Sequence, residues 1–85
     1  MKKKLIRFSK VNEKSDIRPD CFINTDNIIA YQEDAGGNKH NGYRMRIYLV
    51  SGLNGTDEVI LVFNDIKDRQ EAALTLEALM GATVV

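Results

Sequence analysis

Residues 43–50 show the clearest alternation of side-chain character in the chain. The odd-numbered positions are Tyr43, Met45, Ile47 and Leu49. The even-numbered positions are Arg44, Arg46, Tyr48 and Val50. A period of two is typical of a β-strand whose two faces meet different surroundings. The pattern predicts a strand over 43–51 whose odd-numbered side chains are buried.

A second apolar run, "VILVF" at residues 59–63, follows the dipeptide Asn54-Gly55. This dipeptide favours a two-residue type I′ hairpin turn, because both of its residues tolerate positive φ. A count from that turn pairs Leu53 with Thr56. The same register then places opposite each other Leu49 and Ile60, Ile47 and Val62, Tyr48 and Leu61, Val50 and Val59, and Arg46 and Phe63. We therefore predict a strand over 57–63 with Ile60 and Val62 on its buried face.

Three shorter strands are predicted earlier in the chain, over 4–10, 20–24 and 28–33. In the first of them Ile6 and Phe8 share one side, opposite Leu5 and Arg7. Polar residues 24–27 predict a turn, and the glycine-rich stretch 34–42 and the polar stretch 12–20 predict loops. Cys21 precedes two apolar residues, and we interpret it as a small buried hydrophobic side chain.

A helix is predicted over 65–80. Asn64 or Asp65 can cap its first turn, Asp68 suits the helix dipole, and Gly81 is typical of a helix end. Leu74 falls on the opposite side from the apolar stripe. At 100° per residue that stripe comprises Ile66, Ala72, Ala73, Leu76, Leu79 and Met80.

Together these elements predict one α+β domain over residues 1–85, with a four- to five-stranded curved antiparallel meander that is small and barrel-like, and one C-terminal helix. In the counted register the second sheet face is also apolar. Its members are Tyr48, Val50, Val59, Leu61 and Phe63. Either the sheet curls so that the N-terminal strand covers this face, or another molecule covers it. We expect the five residues to form a protein–protein interface, most simply in a homo-oligomer.

The charge balance and the cysteine content limit the kinds of protein and cellular compartment that fit this sequence. Twelve basic and twelve acidic residues cancel, which argues against a phosphate backbone as the main partner and removes charge repulsion between copies. The single cysteine cannot form an internal disulfide, which fits a reducing compartment. The start "MKKKLIRFSK" has no apolar signal-peptide region, and no apolar run approaches the length of a membrane span. We expect a cytoplasmic protein with no membrane partner.

The loop "GGNKHNG" contains the G-x-x-x-x-G spacing of a phosphate-binding loop, from Gly37 to Gly42. That kind of loop needs Lys and Ser/Thr after the second glycine and then a helix, whereas Tyr43 and a predicted strand follow here. We interpret the stretch as a hairpin loop. His40 and Cys21 are the only imidazole and thiol groups, too few for a metal or nucleophile motif. We expect no catalytic, cofactor or metal site, and thus no enzyme.

Nucleic-acid binding is the alternative hypothesis. Arg44, Arg46 and Tyr48 share one strand face, and basic residues with an aromatic ring can contact single-stranded nucleic acid. Basic residues near the N-terminus could extend the stripe, namely Lys2, Lys3, Lys4, Arg7 and Lys10. The competing interpretation is that both arginines form salt bridges on a solvent-facing strand.

The order of motifs from Ile23 to about Met80 resembles two groups of bacterial proteins. "INTDNII" contains an N-x-D-x-I turn before a strand, and "VILVFNDIKD" leads from a strand into a helix. This order resembles the small-protein family of flagellar and swarming motility, and also the LytTR-type DNA-binding domain. The matching residues are mostly fold-forming: Ile23, Asn24, Asp26, Ile28, Asn54-Gly55 and Val62. The resemblance implies a small bacterial protein with a β-rich fold, and the second group implies a DNA-binding role.

Overall fold

The structure, a computed structural model, describes residues 5–50, 56–81 and 83. Five strands and one helix form there, as the α+β prediction required. They are β1 (Leu5–Arg7), β2 (Phe22–Asn24), β3 (Ile28–Glu33), β4 (Tyr43–Val50), β5 (Thr56–Phe63) and α1 (Ile66–Met80). A short 3-10 turn, Thr25–Asn27, joins β2 to β3 at the predicted polar cluster.

The strands form two antiparallel sheets and not one meander. β1 pairs with β2, placing Ile6 opposite Ile23, while the second sheet has the order β3-β4-β5. At the turn between β2 and β3, the side chain of Asn24 accepts a hydrogen bond from the Asp26 amide at 3.0 Å. After this turn the chain leaves the first sheet, and β3 pairs with β4 instead. Over the described residues the sheets do not close into a barrel, and the single-meander prediction is wrong.

The β4–β5 register also differs from the one that was predicted by counting from the Asn54-Gly55 turn. Tyr43 lies opposite Phe63, Met45 opposite Leu61, and Val50 opposite Thr56, a shift of three positions from the expected pairing. An odd shift exchanges the two faces of β5. Val59, Leu61 and Phe63 therefore share the face of the odd-numbered β4 residues, and Ile60 and Val62 share the other. The predicted turn at Asn54-Gly55 lies outside the described residues.

Burial explains why this register is favoured. The inner face of the β3-β4-β5 sheet is the one that carries Tyr43, Met45, Ile47, Leu49, Val59, Leu61 and Phe63. It packs in one core with Leu76 of α1 and with Ile6 and Ile23 of the two-stranded sheet. Full burial of a large apolar side chain stabilises a fold by about 1.5–3 kcal/mol. The counted register would have turned Leu61 and Phe63 away from this core.

The helix has the predicted ends. The Asp65 carboxylate accepts a hydrogen bond from the Lys67 amide at 2.9 Å, and Gly81 ends the helix with φ 66°. Of the expected stripe, Leu76 is fully buried, while Ile66 and Leu79 are exposed and so do not belong to the buried face. Among the described residues, no helix combines the length and apolar character needed to cross a membrane.

Residues 11–16 protect the free edge of β5. The Val62 amide donates to Ser15 Oγ, and the Ile60 amide donates to the Asp16 carboxylate, both at 2.8 Å. In return the Asn12 and Asp16 amides donate to the carbonyls of Val62 and Ile60, also at 2.8 Å. An edge strand whose backbone groups are satisfied in this way does not invite pairing with another chain.

Candidate functional site

The outer face of the β3-β4-β5 sheet is the surface that α1 and the β1–β2 sheet leave uncovered. It carries Ala30, Gln32, Arg44, Arg46, Tyr48, Val50, Glu58, Ile60 and Val62. Val62 is buried because residues 11–16 lie along β5 and Gly42 approaches it closely. The remainder of this face divides into an apolar part and a charged part.

The apolar part lies where β3 and β4 meet. Ala30 pairs with Tyr48, and Ile29 stands beside it in a β-bulge between Ile28 and Ala30. Ile29 is 55% exposed and Val50 is 54% exposed, while Tyr48 is half-buried. Ile29, Ala30, Tyr48 and Val50 are called the outer apolar patch below. Bulges re-aim side chains, and this one adds an exposed isoleucine to the patch.

The charged part is a compact cluster of two arginines and two carboxylates. Arg46 Nε donates to both carboxylate oxygens of Asp34, at 2.9 and 3.0 Å, and its Nη1 donates to Glu58. Arg44 Nε lies 3.7 Å from the Asp34 carboxylate. The hydrogen bonds from Arg46 to Asp34, and then to Glu58, raise the pKa of the Arg46 guanidinium above its ordinary value. The four charges cancel within the cluster.

This pairing bears on the nucleic-acid hypothesis. Arg44, Arg46 and Tyr48 do share one strand face, as the alternation predicted. Both arginines already face carboxylates, so a phosphate group would have to compete with Asp34 and Glu58 for them. The geometry matches the competing interpretation, in which the two arginines belong to salt bridges.

The five residues predicted as an interface do not lie on one surface. Leu61 and Phe63 are 0% and 1% exposed in the core, and Val59 is a half-buried residue of the inner face. Only Tyr48 and Val50 lie on the outer face. The error follows from the register, because a shift of three positions transfers the β5 members of the set to the core side.

Arg69 is the residue of the helix–sheet contact that the sequence reasoning missed. It is buried, its Nη1 donates to the Asp34 carbonyl at 2.7 Å, and its Nε lies 3.5 Å from a Glu33 carboxylate oxygen. Its guanidinium carbon lies over the Tyr43 ring, 5.7 Å from the centroid. Helical spacing could have found it, since Arg69 precedes the buried Leu76 by two turns. Arg69 therefore holds α1 beside Asp34, the residue that both arginines of the charged cluster contact.

The glycine-rich loop is a turn and has none of the helical amides of a phosphate loop. The Asn38 side chain accepts hydrogen bonds from the His40 and Asn41 amides, at 2.9 and 2.8 Å, and Gly42 closes the turn onto the Asn38 carbonyl. β4 follows directly, as the hairpin interpretation predicted. Gly42 has φ 81°, and a Cβ there would lie 2.4 Å from Val62 Cγ1.

Cys21 is exposed, which contradicts its interpretation as a buried side chain. It lies just before β2, where Ile23 points to the core and Phe22 to the surface. Across the ranges that the structure describes, no three His, Cys, Asp or Glu side chains cluster in a way that could hold a metal ion.

Comparisons with family models, with curated proteins and with solved structures return no match for this chain.

Proposed function

We propose that this protein is a small non-enzymatic binding or assembly module that acts through protein–protein contacts of its outer sheet face. The observation that carries the proposal is the outer apolar patch, in which Ile29 and Val50 are both more than half exposed on a sheet. Contiguous exposed apolar surface beside a polar rim is typical of protein-binding sites. Here the charged cluster of Asp34, Arg44, Arg46 and Glu58 forms that rim.

The proposed partner is a second copy of the chain. Twofold packing would place one outer apolar patch on the other, and such an interface uses the same residues from both copies. The neighbouring charged cluster has no net charge, and the whole chain has a formal net charge of zero, so neither opposes self-association. The patch differs from the interface predicted from the sequence, since it keeps Tyr48 and Val50 but gains Ile29 and Ala30.

Sedimentation velocity over a range of protein concentrations tests this proposal. The wild type is expected to show a mass that rises with concentration, and Val50→Asp is expected to remain a folded monomer. Leu74→Asp is the matched control, because Leu74 is an exposed leucine on α1, away from the sheet. A wild type that stays monomeric, or a Val50→Asp variant that associates normally, would contradict the proposal.

The alternative is a nucleic-acid-binding module of regulatory type that uses Arg44, Arg46 and Tyr48. Their position on one strand face supports it. It predicts salt-dependent binding of single-stranded oligonucleotides that weakens in Arg44→Ala, the more exposed and less tightly paired of the two arginines. Absence of binding at low salt would exclude it.

A cytoplasmic location and a bacterial origin are part of the proposal. The free thiol of Cys21 supports the location, because an exposed unpaired cysteine is typical of a reducing compartment. The resemblance to motility proteins and LytTR-type domains stays a prediction. Size measurement of the native protein in a cytoplasmic extract would test both the location and the assembly.

A further inference from the structure

A second exposed apolar surface lies on the β1–β2 sheet, away from the outer apolar patch. Leu5 and Arg7 on β1 and Phe22 on β2 share the face opposite the buried Ile6 and Ile23. Leu5 is 51% exposed and Phe22 is 59% exposed. Arg7 lies opposite Phe22, with its guanidinium carbon over the ring, 5.7 Å from the centroid. Leu5, Arg7 and Phe22 are called the β1–β2 surface below.

Charge is strongly segregated along the sequence. The first ten residues contain five basic residues and no acidic one: Lys2, Lys3, Lys4, Arg7 and Lys10. The seven basic residues of 11–85 are outnumbered by twelve acidic ones, which gives that part a net charge of −5. The zero total therefore conceals a basic segment that contains β1. A segment of this charge favours an anionic partner.

Within the described part of the chain, Arg7 in the β1–β2 surface is not neutralised by carboxylates in the way that the outer-face arginines are. Lys10 pairs with Asp68 and Glu71 of α1, both at 3.4 Å. Arg7, by contrast, has no ion pair among the described residues and instead lies over Phe22. In the sequence three lysines directly precede Leu5. Arg7 thus carries a positive charge next to two exposed apolar side chains.

We propose that the β1–β2 surface binds the surface of an anionic lipid bilayer, with Leu5 and Phe22 entering the interface and Arg7 contacting the headgroups. Stable attachment of a peripheral protein needs two signals, and apolar insertion beside a basic cluster is one such pair. The earlier expectation of no membrane partner considered spanning segments, and a bilayer surface can be bound without one.

Two features favour lipid over nucleic acid at this surface. Leu5 is aliphatic, so it adds insertion energy in a bilayer interface but no stacking energy with a base. The Arg7 guanidinium already occupies one side of the Phe22 ring, which removes that side as a platform for a base. Arginine over an aromatic ring stays compatible with lipid headgroups, because aromatic and basic side chains both favour the membrane–water interface.

Fluorescence of a single tryptophan tests the insertion directly, since the chain has none of its own. In full-length Phe22→Trp, the emission is expected to shift to shorter wavelength on addition of vesicles containing phosphatidylcholine and phosphatidylglycerol. Vesicles of phosphatidylcholine alone are expected to bind at least about tenfold more weakly, because they offer no anionic headgroups. Leu74→Trp, which places the reporter on the exposed side of α1, is expected to show no shift.

Cosedimentation with the mixed vesicles gives the matched mutational test. Leu5→Gln with Phe22→Gln is expected to reduce binding at least about tenfold, and added salt should weaken binding by the wild type. Leu74→Gln changes an exposed leucine on α1, outside both the β1–β2 surface and the outer apolar patch, and is expected to bind like the wild type. Circular dichroism confirms that each variant is folded.

Three results would overturn the proposal. The first is equal binding to neutral and mixed vesicles, and the second is an unshifted Phe22→Trp spectrum when the mixed vesicles are present. The third is a protein that binds single-stranded oligonucleotides more tightly than mixed vesicles at the same salt concentration and that loses this oligonucleotide binding in the Leu5→Gln, Phe22→Gln variant. That outcome would assign the surface to nucleic acid.

Discussion

Replacement of Leu61 by alanine tests the observed register, which pairs Leu61 with Met45 and so places it on the core side of the sheet. The Leu61 side chain is fully buried in the core that also contains Leu76 of α1. Truncation of a buried leucine to alanine costs about 2–5 kcal/mol, from lost apolar burial and from the cavity that remains. A domain of this length has a total stability of roughly 4–13 kcal/mol. The substitution should therefore remove a large fraction of it.

Urea unfolding followed by circular dichroism measures the loss. Leu61→Ala is expected to lower the midpoint strongly with little change in slope. A loss of about 2–5 kcal/mol, at about 4–8 °C per kcal/mol in a domain of this size, should lower the melting temperature by roughly 8–40 °C. Leu74→Ala makes the same chemical change at an exposed helix position, and its effect should stay within about 0.5 kcal/mol. Equal, small losses in both variants would refute the assignment of Leu61 to the core, and with it the β4–β5 register.

Three further predictions follow from local geometry. Gly42→Ala should destabilise the fold by about 1–3 kcal/mol more than Gly36→Ala, because both glycines have positive φ but only a Cβ at Gly42 would meet Val62. Equal losses of the two variants in urea unfolding would contradict this prediction. Asp65→Ala should cost about 1 kcal/mol in the same assay, since it removes the cap of α1. Burial and neighbouring carboxylates raise the Tyr31 pKa above 10.0, so the neutral phenol contributes stability that is lost as pH rises through the raised pKa. Tyr31→Phe should therefore lose less unfolding free energy above pH 10 than the wild type. An unchanged alkaline loss of stability would contradict this assignment.

Most elements of the fold were predictable because each depends on short-range pattern. The alternation in β4 and the capping residues of α1 determine where those elements lie, and neither needs information from distant residues. Register was not predictable in this way. The count from Asn54-Gly55 applied a rule for local turns, whereas the observed pairing places Leu61 and Phe63 against the helix, and that contact joins distant parts of the chain.

The division into two sheets depends on interactions that leave little trace in composition. Ser15 and Asp16 occupy the β5 edge through side-chain hydrogen bonds, and nothing in the polar stretch 12–20 marks those two residues in advance. With that edge occupied, β1 pairs with β2 alone. These hydrogen bonds join residues that are far apart in the sequence. The loop prediction for 12–20 is therefore correct about the conformation of this stretch but says nothing of its role at the β5 edge.

The candidate site was half predictable. Tyr48 and Val50 were found because the β4 alternation alone places them on the outer face. Ile29 was missed because its exposure depends on the β-bulge, which interrupts the period of two. For the charged cluster, the sequence predicted only that the two arginines could form salt bridges. It did not identify Asp34 as their partner, because Asp34 lies in a loop whose position the sequence does not give.

We propose that copies of the chain meet through the outer apolar patch. Isotope-filtered NMR on a mixture of labelled and unlabelled protein tests it most directly, since it detects contacts between copies only. Association through the outer apolar patch is expected to give intermolecular contacts among the side chains of Ile29, Tyr48 and Val50. Intermolecular contacts confined to Leu5 and Phe22, or none at concentrations where the wild type associates, would contradict it.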